Sequence, residues 1–64
     1  MNLKIKMRQI GEDKLNVHVE SRVPFNADDM IKRLSGFLSP NYRFEGLAGD
    51  IKVKVLNVNF RRIH

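Results

Sequence analysis

The sequence predicts a two-layer α+β domain: one helix packed on a small, mainly antiparallel sheet of three or four strands, in the order ββα(β)β. Three observations carry that prediction. Apolar and polar residues alternate near both ends of the chain, as half-buried strands require. One internal block repeats its apolar residues at helical spacing instead. That helix has a single apolar stripe, which suits one face of one sheet.

Leu3, Ile5 and Met7 alternate with Lys4, Lys6 and Arg8, giving the first strand. Leu15, Val17, Val19 and Val23 alternate with Asn16, His18, Glu20 and Arg22, giving the second. Gly11-Glu12-Asp13 between them is a turn signal. A two-residue loop would set Met7 opposite Asn16, apolar against polar. A three-residue loop sets Met7 opposite Val17, Ile5 opposite Val19, Lys4 opposite Glu20 and Lys6 opposite His18, so that every opposed pair shares a suitable face.

Pro24 ends the second strand, and Asn26 is placed to cap a helix, with Asp29 three residues on and Phe25 and Met30 forming a hydrophobic staple. Ala27, Met30, Ile31, Leu34, Phe37 and Leu38 form the stripe. Asp28 with Lys32, and Asp29 with Arg33, stand at ion-pair spacing on the other side. Ser39-Pro40 stops the helix. Tyr42 and Phe44 alternate with Arg43 and Glu45, so residues 42–47 read as a short strand or a structured loop.

Residues 51–60 alternate and then change phase. Ile51, Val53 and Val55 are apolar at odd positions, Leu56, Val58 and Phe60 at even ones. Successive side chains on a strand point to opposite faces, so one flat strand cannot send both trios to one core. A bulge near Val55-Leu56, or a partner covering the second face, would reconcile them. The last strand is expected to run antiparallel beside the first.

The 64 residues allow a single small domain. The chain has no cysteine, which excludes a disulfide scaffold and thiolate metal sites. No apolar run approaches the roughly 20 residues of a membrane span, and the first residues lack the apolar core of a signal peptide. A cytoplasmic location without membrane association is therefore expected, and Met1 with the compact pattern leads to the expectation of a complete small gene product.

The net charge is +5 and unevenly spread. Residues 1–10 carry +3 from Lys4, Lys6 and Arg8; residues 11–50 carry −2; residues 51–64 carry +4 from Lys52, Lys54, Arg61 and Arg62. No enzyme activity, cofactor or metal is expected. The only histidines are His18 and His64, Ser21 points away from His18 on a strand, and the acid pairs are explained by the turn and the helix cap.

Two functions compete. In the favoured one, Lys4, Lys6, Arg8, Lys52 and Lys54 project together from the sheet face away from the helix and, with Arg61 and Arg62, contact the phosphates of DNA or RNA with little base specificity. An ordinary solvated face would explain the same lysines. In the alternative, the protein is a small regulator or inhibitor that docks a protein partner, or a second copy as a homodimer, through a free strand edge or an apolar stripe of Leu56, Val58 and Phe60.

Overall fold

The computed structural model describes residues 3–63, so His64 lies outside the described residues. Leu3–Gln9 (β1) and Lys14–Ser21 (β2) form the expected hairpin, closed by the Ile10 N–H donating to the Lys14 carbonyl at 3.0 Å. The Gln9 amide pins the turn, donating to the carbonyls of Gly11 (3.0 Å) and Glu12 (3.1 Å). The register is the one that apolar pairing demands: Met7 faces Val17, Ile5 faces Val19, Lys4 faces Glu20 and Lys6 faces His18.

Helix α1 spans Ala27–Leu38. The Asn26 Oδ1 accepts from the Asp29 N–H at 3.1 Å, the cap expected from the sequence. Met30 and Leu34 are buried, and Phe25, Ala27, Ile31 and Leu38 pack around them. Two expectations fail. The ion pairs Asp28–Lys32 and Asp29–Arg33 do not form, leaving both acids to act on the positive end of the helix dipole. Phe37 is not core but is 77% exposed.

Tyr42–Leu47 (β3) is a strand, and Val55–Arg62 (β4) completes a four-stranded antiparallel sheet in the order β1-β2-β4-β3. The last strand therefore lies between β2 and β3, not beside β1. In that central position it faces Leu15, Val17 and Val19 on one side and Phe44 and Leu47 on the other. Phe44 meets Phe60 edge-on, with ring centroids 5.9 Å apart, but stays partly exposed on its edge strand.

This order resolves the phase change in a way the sequence did not anticipate. Leu56, Val58 and Phe60 are 1%, 0% and 0% exposed beneath the helix, so the even-numbered trio is core and not an interface. The odd-numbered trio is given up: β4 begins at Val55, while Ile51 and Val53 lie in the irregular segment before it, 60% and 68% exposed. That segment is nonetheless held to the sheet end, its Val53 and Lys54 carbonyls accepting from the Phe25 (3.0 Å) and Ser21 (2.9 Å) N–H groups. The bulge occurs instead in β3, between Phe44 and Gly46. The extra residue lets Tyr42 and Phe44 face inward and, after the slip, Leu47 as well.

Candidate functional site

The sheet face away from the helix is entirely set by the strand registers. Four rows cross it: Lys4-Glu20-Val55, Lys6-His18-Asn57, Arg8-Asn16-Asn59 and Lys14-Arg61-Arg43. Glu45, turned to this side at the bulge, takes the Arg61 Nε (2.6 Å) and the Lys14 ammonium (3.3 Å). The Arg61 guanidinium, and secondarily Lys14, hold the Glu45 carboxyl below the usual glutamate range.

In the middle of the face, Asn16 donates from Nδ2 to the Asn59 Oδ1 at 3.0 Å. His18 Nδ1 lies 2.6 Å from the Asn57 Oδ1, and its Nε2 lies 2.9 Å from the Glu20 Oε1. Both ring nitrogens thus meet oxygen acceptors, an arrangement satisfied in full by the imidazolium, which donates from both. Accordingly the His18 pKa is raised, by the Glu20 hydrogen bond first and that of Asn57 second. Glu20 is lowered in turn, chiefly by His18.

The predicted cationic set is only partly assembled. Lys4, Lys6 and Arg8 stand in one column along β1, and none of them is in an ion pair among the described residues. Arg61 shares their face but is engaged by Glu45. Lys52 and Lys54 do not join them: both precede β4, in the irregular segment outside the strand registers that set this face. Arg62 sits opposite Tyr42, in the phase of Phe60, so it belongs to the helix side. Sequence reading missed Lys14 and Arg43 on the outer face, although alternation with inward Leu15 and with inward Tyr42 and Phe44 carries that signal.

Of the second surface, the sequence offered only a free strand edge and not the groove beside it. The helix covers β2 and β4 but leaves the inner side of β1 open, and Ile5 and Met7 are 46% and 44% exposed. Between β1 and α1 runs a groove of about 620 Å³. Leu3, Ile5 and Met7 form its floor, and Met30, Leu34 and Phe37 form its wall, with Arg33 beside them. The groove continues into an unpaired strand edge. Since Ile10 donates to Lys14 and narrow pairs alternate along an antiparallel ladder, Lys4, Lys6 and Arg8 bond to β2. The N–H and C=O groups of Leu3, Ile5 and Met7 therefore point away from the sheet.

Among the described residues, no group of acidic, histidine or cysteine side chains is arranged to hold a metal ion. No helix among them is long and apolar enough to cross a membrane. The chain matches no protein-family model, no curated protein and no solved structure.

Proposed function

We propose that the protein is a non-enzymatic interaction module that docks a partner protein by strand addition along β1. What supports this reading is a single juxtaposition: an uncovered apolar groove, floored by Ile5 and Met7, runs beside the unpaired backbone of the same strand. Main-chain hydrogen bonds to such an edge give affinity, and an adjoining groove for alternate side chains gives selectivity. Exposed apolar area of this kind on a small domain is a site of association more often than of solvation.

A second reading, binding of DNA or RNA through the outer face, keeps one specific support. Six cations (Lys4, Lys6, Arg8, Lys14, Arg43 and Arg61) share that face with two carboxylates, Glu20 and Glu45. That excess favours phosphate contacts. Among the described residues this face carries no phenylalanine, tyrosine or tryptophan ring on which a base would stack, and its imidazole, His18, is held between Asn57 and Glu20. Four of the seven expected contact residues (Lys52, Lys54, Arg61 and Arg62) are also displaced or engaged, which is why this reading comes second.

Affinity capture from the native host, with and without nuclease, tests both. The wild-type chain is compared with an Ile5→Asp/Phe37→Asp double variant, both positions being exposed and off the buried core. Proteins that survive nuclease and are lost by the variant are the expected result. Capture that is identical for both chains overturns strand docking, and capture released wholly by nuclease transfers the function to the outer face.

A further inference from the structure

Resting on the docking reading above, we infer that the occupant of the β1 edge is an extended segment of a different protein, with apolar residues on one side and acidic residues on the other. The argument begins with what a strand laid against β1 would meet. Directly opposed residues share a face. Partner residues opposite Leu3, Ile5 and Met7 would enter the groove and rest against Phe37, Met30 and Leu34. Partner residues opposite Lys4, Lys6 and Arg8 would lie on the outer face, beside three cations with no ion-pair partner among the described residues.

Across that ladder, opposite charges stabilise and like charges destabilise. Within its own sheet the β1 column has one carboxylate, Glu20, which stands opposite Lys4 and is already bonded to His18, while Lys6 faces His18 and Arg8 faces Asn16. An incoming strand that alternates acidic with apolar residues complements both the charge and the groove at period two. Arg33, at the groove and in no ion pair among the described residues, would take a further carboxylate of the partner.

The same charges disfavour a second copy paired β1 to β1. Pairing two β1 strands antiparallel about a two-fold axis, centred on Ile5, sets Lys4 of one chain opposite Lys6 of the other. Centring on Lys6 sets Lys6 against itself and Lys4 against Arg8. Every such register centred from Lys4 to Arg8 therefore lays cation against cation. A homodimer through this edge is the least favourable use of it.

The experiment titrates the full chain with three synthetic nine-residue peptides: alternating valine and glutamate, alternating valine and lysine, and a block arrangement of the first composition. Amide chemical shifts and hydrogen exchange are read by NMR. The acidic alternating peptide is expected to bind, to slow exchange at the Leu3, Ile5 and Met7 amides, and to outcompete the other two. Lys4→Glu/Lys6→Glu, at two exposed positions, is expected to lower its affinity by about tenfold and to invert the preference toward the lysine peptide. Equal binding of acidic and basic peptides, with the three amides protected, overturns the charge inference while the docking reading stands. Failure of every peptide, with exchange at those amides unchanged, overturns both. Protection of those amides in the free chain, rising with its own concentration, overturns the inference in favour of a second copy.

Discussion

β1 and β4 carry the same signal and meet opposite fates. Each presents three apolar residues at alternate positions, Leu3, Ile5 and Met7 in one and Leu56, Val58 and Phe60 in the other. In β4 all three vanish from solvent, whereas in β1 two of the three stay nearly half exposed. Composition does not explain this, since the two trios are similar in size and polarity. Position does: β4 has a strand on each side and the helix above, while β1 has one neighbour and no roof. The polar sides of the two strands differ in the same way. The side chains of Asn57, Asn59 and Arg61 of β4 are each hydrogen-bonded to a neighbouring strand, and those of Lys4, Lys6 and Arg8 of β1 have no such bond among the described residues. The interior strand spends its side chains on the fold, and the edge strand leaves its own for something else.

The sharpest way to break this comparison is to truncate one residue in each strand. Phe60→Ala removes a fully buried ring and is expected to cost about 3–5 kcal/mol, most of the stability of a domain this small. Met7→Ala, in the equivalent alternating pattern, is expected to cost about 1 kcal/mol or less because its side chain is already partly in water. Urea midpoints of the two variants check this, and equal losses would mean that β1 is as much core as β4.

A smaller effect sharpens the contrast from outside both strands. Gly36 lies in the last turn of α1, without positive φ and with open space where a Cβ would stand. Gly36→Ala is therefore expected to stabilise by about 0.5–1 kcal/mol. In native-state hydrogen exchange the gain should slow the amides of β4 and leave the outward amides of Leu3, Ile5 and Met7 unchanged, since those exchange without unfolding.

The smallest effect is confined to a range of pH. The raised His18 pKa means that the folded state holds its proton more tightly than the unfolded chain. The stabilisation is fully present below the ordinary histidine value of about 6.5 and is lost as pH rises through the folded value. Glu20 acts in the opposite sense: its lowered pKa gives stability present above the ordinary glutamate value and lost in acid. The thermal midpoint is thus expected to decline as pH rises from about 6.5 through the raised His18 value, and His18→Gln should flatten that decline. A midpoint in the variant that still follows the wild-type curve would remove His18 as its source.

Much of the fold was legible in the residues, for local reasons. The hairpin register followed from matching apolar residues across a short turn, and the helix start followed from Asn26 with Asp29, because both depend on neighbours a few positions away. The candidate site was legible only in part. Lys4, Lys6 and Arg8 are where alternation put them, because β1 pairs within its own hairpin. Lys52 and Lys54 are not, because the alternation of residues 51–55 competes with that of residues 56–60 for one strand, and the better-covered set prevailed.

By itself, the sequence determined that strands 3–9 and 14–21 would form a hairpin, that residues 27–38 would be a helix with one apolar side, and that charge would gather at both ends. Only the tertiary structure decided which alternating segment became interior, where the bulge fell, and that a groove would stay open over β1. Alternation encodes which face a side chain takes, but not which strand lies next to it. Strand order is fixed by contacts between residues some forty positions apart, such as Val17 with Val58, and no local pattern contains them.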